Sequence, residues 1–132
     1  MATATVIVEQ ISGAASMGNA RGHQIVMDRP EAKGGTNEGM MGGEAVLNGL
    51  GGCFMSNLLA AAKVRNIELK NARAEIEAEL ADAPARFTTI SMRVSAQCNP
   101  PEELNELVTI AERGCIAANT LRAAVELSIK VV

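Results

Sequence analysis

The longest apolar segment of the chain covers residues 43–65, and Cys53 lies at its centre. Ala, Leu and Met outnumber β-branched residues in this segment, so its composition predicts one helix, roughly 33 Å long. A helix that is apolar on most sides has to be covered by other elements or by a second subunit. The pattern therefore predicts a central helix around which the rest of the chain is arranged.

Two short strands are predicted before this helix. Residues 3–11 are rich in Val, Ile and Thr, and a second run at 22–27 ends at the sequence Asp28-Arg29-Pro30. The segment between them, 12–20, contains Gly and Asn and is predicted to be a turn. Residues 30–43 contain five glycines, which predicts an irregular loop that leads into the central helix.

Strict alternation of apolar and polar residues follows the helix. Residues 72–80 and 89–96 each repeat with a period of two, and the sequence Asp82-Ala83-Pro84 separates them. A period of two is typical of a half-buried strand. These residues therefore predict an antiparallel hairpin.

A second helix is predicted after this hairpin. Asn99, two prolines and Glu102 form a helix start, with Asn99 as the N-cap, and Gly114 suits the position just past the helix end. Cys115 follows at the break, before a short helix to about Arg122. The alternating residues 125–131 predict a closing strand. The order β-β-α-β-β-α-β predicts an α+β fold with antiparallel sheets, in one domain over residues 1–132.

Composition narrows the function classes. Apolar residues make up 48% of the chain and charged residues 20%, which is typical of a globular domain. Two Phe cannot form a base-stacking platform and the net charge is −3, so we expect no nucleic-acid partner. No apolar run of about 18 residues is evident, so we expect no membrane partner. The first residues do not resemble a signal peptide.

The chain contains three cysteines without CxxC spacing and one histidine. This set predicts neither a disulfide framework nor a zinc site, and we expect no metal and no cofactor. His23 has no second ligand type near it in sequence. An odd number of cysteines in a chain without a secretion signal predicts the reducing cytoplasm.

Cys53 has two interpretations. A cysteine in an apolar helix is commonly a small buried hydrophobe. However, Gly51 and Gly52 directly precede it and leave room for a reactant, and Cys115 lies at another irregular point. If the fold brings the two thiols together, one can attack an oxidant and the other can resolve the product. Cys98, at the end of a predicted strand, is interpreted as structural or incidental.

The charged candidates are also open to two interpretations. Glu44 lies nine residues before Cys53, which is about 900° around a straight helix, so the two would face opposite sides. It is either a first-turn carboxylate favoured by the helix dipole or part of another site. Arg21, Arg29 and Arg122 could stabilise an anion, although most arginines are solvated surface residues.

Two segments resemble the OsmC/Ohr family. The glycines between Gly34 and Gly39, followed by E-A-V-L-N-G-L-G-G-C from Glu44 to Cys53, are similar to that family's glycine loop and its E-L-L-L-x-x-L-G-G-C helix. The segment C-I-A-A-N-T-L that begins at Cys115 resembles the family's C-P-V-S-x-T-L segment. Ile116 replaces the family's proline there.

The resemblance implies a thiol peroxidase that reduces organic hydroperoxides in oxidative or osmotic stress defence. In that family pattern Cys53 is the peroxidatic cysteine and Cys115 the resolving cysteine, and Glu44 orients a cationic group near the thiolate. Arg21 is the nearest candidate by position for that cation. The family also implies an intertwined homodimer with active sites at the subunit interface, and an external dithiol as reductant.

An apolar peroxide pocket would then be lined by the central helix and by methionines, namely Met40, Met41 and Met55. The alternative is a non-catalytic homodimer of the same fold that binds a small apolar ligand at the subunit interface. This alternative is motivated by the altered motif positions, since Met41-Gly42-Gly43 stand where the family has a proline before the motif glutamate. The family's arginine also has no secure counterpart.

Overall fold

A computed structural model describes residues 2–123 and 125–131 of the chain. These residues form two compact units, Met1–Asn48 and Gly49–Val132, which are described separately below as unit 1 and unit 2. The predicted central helix is present as α1, Gly42–Val64. It begins in unit 1 and supplies the first element of unit 2.

Unit 1 contains a three-stranded antiparallel sheet of strands β1 (Ile7–Gln10), β2 (Ser16–Ala20) and β3 (His23–Met27), in that order. The prediction of a turn over residues 12–20 was therefore wrong for its second half, which forms β2. Pairing on both sides stabilises this strand in spite of its Gly and Asn. Gly18 faces Val8 and Ile25, whose branched side chains fill the space that a side chain at position 18 would occupy.

A buried carboxylate organises the glycine-rich loop of unit 1. Asp28 is only 5% exposed, and it accepts hydrogen bonds from the backbone N–H groups of Arg29, Thr36 and Glu38 and from the Thr36 hydroxyl. The hydroxyl of Thr36 contributes most to lowering the pKa of Asp28, and the Glu38 N–H contributes next. A Cβ at Gly35 would collide with the Arg29 carbonyl, so this loop is tightly folded back on itself.

Unit 2 is built on α1 and a long hairpin, with strands β4 (Glu68–Asp82) and β5 (Ala85–Asn99) paired antiparallel. Gly51 allows close packing between them, because a Cβ there would lie 2.7 Å from the Ile76 side chain. The buried core of unit 2 comes from α1 and from the segment after the hairpin: Leu50, Phe54, Leu58, Ala61, Ala62, Leu107, Ala111 and Cys115.

Two further helices, α2 (Leu104–Arg113) and α3 (Ile116–Arg122), follow a short 3-10 turn at Pro101–Glu103. Asn99 is the last residue of β5 and does not act as the predicted N-cap, since no side chain caps this turn. Gly114 ends α2 as predicted, but its φ of −90° is not the left-handed conformation expected there.

The closing strand predicted at 125–131 is not formed in the described residues. Leu127 and Ile129 are 81% and 90% exposed, because no neighbouring strand within the described chain pairs with this segment. The observed order is therefore β-β-β-α-β-β-α-α instead of β-β-α-β-β-α-β. The α+β class, the antiparallel sheets and the long helix are confirmed.

Helix α1 has the predicted length, but the expectation that the chain contains no apolar run of about 18 residues was wrong. It spans 23 residues with a mean hydropathy of 1.4 over its most apolar 18, so by length and composition alone it could cross a membrane. The core helix of a folded domain has the same properties. Five side chains of α1 are buried in the core of unit 2, namely Leu50, Phe54, Leu58, Ala61 and Ala62.

Candidate active site

Unit 2 brings together two thiols that are 62 positions apart in sequence. Cys53 lies at the midpoint of α1 and is half-buried, and Cys115 lies between α2 and α3 with no exposed surface. Cys53 packs against the buried cluster that contains Cys115, and each thiol shifts the pKa of the other. Cys115 reaches α1 because the break at Gly114 lets the chain end α2 and begin α3 against that helix. Both cysteines are reduced.

The surroundings of Cys53 favour its thiolate. The backbone N–H of Ala117 contributes most to lowering the pKa of Cys53 below the ordinary thiol value, and the Cys115 thiol and the Ile116 N–H lower it further. Burial acts in the opposite direction but is outweighed. These donors belong to the start of α3, where the first backbone N–H groups of a helix have no intrahelical partner. They stabilise a negative sulfur without a charged side chain.

Cys115 is shifted in the opposite direction. Burial raises the pKa of its thiol, and the neighbouring Cys53 raises it further, while the Ala118 N–H opposes this. The Cys115 sulfur accepts that N–H at 3.4 Å and so forms the N-cap of α3. The pair therefore divides into one sulfur that ionises readily and one that holds its proton, which is the distribution that a nucleophile and its resolving thiol require.

Asn57 ties α1 to the end of α2, one helical turn beyond Cys53. Its side-chain Nδ2 donates to the Ala111 carbonyl at 3.2 Å in a partly buried position. A Cβ at Gly114 would lie 3.4 Å from the same nitrogen, so the glycine leaves space for this amide. The sequence signal for this contact was Asn57 itself, a polar residue within an apolar helix, and our prediction did not include it.

The two glycines before Cys53 have different surroundings. The space beside Gly51 is occupied by Ile76, so this glycine serves helix–hairpin packing. The space beside Gly52 is open, and Gly52 itself is exposed. Within unit 2, room next to the thiol is therefore left at Gly52 and not at Gly51.

Cys98 takes no part in the thiol pair. It lies near the end of β5, partly buried, and its thiol donates to the Pro100 carbonyl at 3.3 Å. This contact agrees with its predicted structural role. In residues 2–123 and 125–131, no three His, Cys, Asp or Glu side chains are grouped closely enough to hold a metal ion.

Arg21 and Glu44 belong to unit 1. Arg21 forms the tight turn between β2 and β3 together with Gly22, with a φ of 54°. Glu44 lies in the first turn of α1, where its Oε1 accepts the Met41 N–H at 2.8 Å. This bond satisfies one of the free donors at the helix start, as its first-turn interpretation predicted. A role for either residue beside Cys53 stays a prediction.

A cavity of about 790 Å³ is open to solvent in unit 1. Met27 and Met41 contribute apolar surface to it, and Arg29 and Lys33 contribute charge. Met41 is one of the three methionines expected to line a peroxide pocket, but Met40 and Met55 do not line this cavity, so the expected apolar pocket stays a prediction.

Fold and site together define a class: an α+β domain in which a long helix and a helix break hold two reduced cysteines as an asymmetric pair. Residues 35–130 match the family model described as OsmC-like protein. The chain belongs to the OsmC-like family. This family includes organic hydroperoxide resistance proteins.

Solved structures agree with this assignment. The OsmC-like protein of Mycoplasma pneumoniae is similar with a TM-score of 0.78 and 18% identity, over 92% of this chain and 88% of that one. The organic hydroperoxide resistance protein OsmC of Legionella pneumophila has a TM-score of 0.64 and 22% identity, over 92% of each chain. The organic hydroperoxide resistance protein OhrB of Bacillus subtilis has a TM-score of 0.58 and 22% identity, over 91% of this chain and 90% of that one. These likenesses show the fold. A search of curated proteins finds no match.

Proposed function

We propose that this protein is a thiol peroxidase that reduces organic hydroperoxides without a cofactor. The observation that carries the proposal is the packing of Cys53 against the cluster that contains Cys115, with the pKa of Cys53 lowered by backbone donors and the pKa of Cys115 raised by burial. The organic hydroperoxide resistance proteins with the same fold support the choice of substrate class.

The proposed reaction has three steps. The Cys53 thiolate attacks the distal oxygen of the hydroperoxide and the O–O bond breaks, so that Cys53 becomes a sulfenic acid that carries the distal oxygen and its hydrogen. The alkoxide that leaves takes one proton from solvent and becomes the alcohol. The Cys115 thiol then displaces hydroxide from the Cys53 sulfur, which forms the disulfide and releases water. An external dithiol finally reduces the disulfide and is itself oxidised.

The distribution of protons between the two thiols suits this order. Cys53 has to be ionised before the first step, and the amides of Ala117 and Ile116 favour its thiolate. Cys115 is needed only afterwards, and its raised pKa keeps it protonated and unreactive toward the peroxide until Cys53 is oxidised. We further propose that Arg21 adds positive charge near Cys53 and that Glu44 orients it, as the family resemblance implies.

The proposal includes a homodimer. Several large apolar side chains are exposed in the single chain, among them Ile7 at 61%, Val64 at 78% and Leu127 at 81%. All four residues of the edge strand β1 are exposed as well. Unpaired apolar strand edges are commonly covered by another chain. We propose that a second copy of this chain covers them. We also propose that the protein is cytoplasmic, because a reducing compartment would keep both cysteines reduced between turnovers.

Turnover measurements on cysteine variants test this function. With cumene hydroperoxide and dithiothreitol, the wild-type protein should consume peroxide catalytically, and Cys53→Ser should lose all turnover above background. Cys115→Ser should still react once at Cys53, but its turnover should fall because the sulfenic acid has no partner thiol. Cys98→Ser is the matched control and should keep wild-type turnover. Equal turnover in the Cys53→Ser and wild-type proteins would refute the proposal.

A further inference from the structure

The end of α2 leaves one backbone carbonyl without its usual helical partner. In a continuing helix the Ala111 carbonyl would accept the N–H of Cys115. Here the Cys115 N–H donates to Glu112 and the Gly114 N–H donates to Ile110, so neither reaches Ala111. The Asn57 side chain, which donates to the Ala111 carbonyl at 3.2 Å, takes the place of that missing donor.

This bond lies in register with the thiol pair. Cys53 and Asn57 are four residues apart on α1, so they lie on the same side of that helix one turn apart. Ala111 and Cys115 are also four residues apart, and both are fully buried. Two features therefore join α1 to the segment at the end of α2: the Asn57–Ala111 hydrogen bond and the packing of Cys53 against the buried cluster that contains Cys115.

From this arrangement we propose that Asn57 is a positioning residue for disulfide formation between Cys53 and Cys115. It caps the end of α2 and so fixes the start of the break that carries Cys115. Hydrophobic packing alone allows helices to slide or rotate against each other, whereas a partly buried polar contact has one satisfied geometry. The proposal rests on the proposed function, since it concerns that site's second step.

The expected effect falls mainly on the second step. Asn57 donates to Ala111 and not to Cys53 or to the α3 amides that lower the pKa of Cys53, so attack on the peroxide should stay close to wild type. Condensation of the Cys53 sulfenic acid with the Cys115 thiol, which releases water, requires the two sulfurs to be held within reach. Loss of one partly buried hydrogen bond should slow this condensation about tenfold.

The test compares Asn57→Ala and the milder Asn57→Ser with Asn105→Ala, a matched control on the exposed surface of α2. Reduced full-length protein is mixed with one equivalent of cumene hydroperoxide. Peroxide loss reports the first step, and the trapping of sulfenic acid by dimedone reports its lifetime. We expect unchanged peroxide loss, closure about tenfold slower and more trapped sulfenic acid in the Asn57 variants, with wild-type behaviour in Asn105→Ala. Equal slowing of both steps would assign Asn57 a merely structural role and overturn the proposal.

A second readout needs no peroxide. In dithiothreitol redox buffers, the equilibrium constant for the Cys53–Cys115 disulfide should fall about tenfold in Asn57→Ala and stay unchanged in Asn105→Ala. If wild type forms this disulfide but consumes no peroxide, the peroxidase function fails while the role of Asn57 is upheld. Wild-type disulfide stability in both Asn57 variants, or no disulfide in wild type, would overturn the role of Asn57.

Discussion

The two units of the chain are stabilised by different chemistry. In unit 2, apolar residues of α1 and α2 form the buried core, and Cys115 is a member of it. In unit 1, the buried side chains among residues 2–48 are Ala15 and a carboxylate, Asp28, which holds the glycine loop through hydrogen bonds. The redox pair thus lies in the unit that has an apolar, close-packed core.

Within unit 2, the groups that lower the pKa of Cys53 are backbone N–H groups and the Cys115 thiol. A close-packed core can hold the start of α3 against α1, so that the N–H groups of Ala117 and Ile116 remain directed at Cys53. Preorganised backbone donors of this kind stabilise an anion at a fixed point and cannot rotate away as a surface arginine can. The polar loop of unit 1 serves a different purpose, since its hydrogen bonds shape the chain that leads into α1.

The largest expected effect breaks the core of unit 2. Leu58 is fully buried in α1, so Leu58→Ala should lower the free energy of unfolding by about 2–5 kcal/mol. Leu80→Ala is the matched control, because the same substitution at a side chain that is 60% exposed should cost under about 0.5 kcal/mol. Urea denaturation measures both. Similar losses at the two positions would show that α1 does not form the core described here.

A second substitution tests whether unit 1 depends on its carboxylate. Asp28→Asn keeps the side-chain size but replaces one acceptor oxygen by an NH₂ group, which cannot accept the N–H groups of Thr36 and Glu38. The loop should therefore open more often, with faster hydrogen exchange at these two amides. Glu31→Gln, an exposed carboxylate on the neighbouring 3-10 turn, should leave this exchange unchanged.

The effect of Asp28 should also depend on pH. Because the folded pKa of Asp28 is lowered, its stabilising contribution is fully present above the ordinary carboxyl pKa of about 3.9 and is lost as pH falls through the folded value. The difference in exchange between wild type and Asp28→Asn should therefore disappear at low pH. A difference that grows on acidification would contradict the assignment.

A smaller effect sharpens the account of the thiol pair. The rate of alkylation of Cys53 by iodoacetamide should rise with pH around a midpoint below the ordinary thiol value of about 8.5. Cys115→Ala should raise this midpoint only in part, since the Ala117 amide makes the larger contribution. Cys98→Ser serves as the background that removes the third thiol. A midpoint at or above 8.5 in this background would favour the ligand-binding alternative over a peroxidase.

The sequence pattern was sufficient for elements whose structure is set locally. The apolar run predicted α1, and the strict alternation on both sides of Pro84 predicted the β4–β5 hairpin, which extends further than the alternation does. The prediction failed for segments whose structure depends on pairing with a strand that is distant in sequence. Strand β2 is stabilised by neighbours on both sides, and the alternating residues 125–131 have no partner strand in the described chain.

The candidate site was predictable in part. The motifs around Cys53 and Cys115 indicated which thiols to pair, because these residues carry the family's pattern. The groups that lower the pKa of Cys53 were not predictable, since backbone N–H groups have no sequence signature. We had expected an arginine to lower this pKa; the N–H groups at the start of α3 do so in unit 2, and the role of Arg21 stays a prediction.

The account's central claim is that Cys53 and Cys115 react with each other once Cys53 is oxidised. Its most direct measurement is mass spectrometry of reduced protein after one equivalent of cumene hydroperoxide, with peptide mapping under non-reducing conditions. We predict a mass loss of about 2 Da and a single linked peptide pair that contains Cys53 and Cys115, with Cys98 free. A Cys53 that stays reduced, or one that is oxidised but linked to Cys98, would contradict the account.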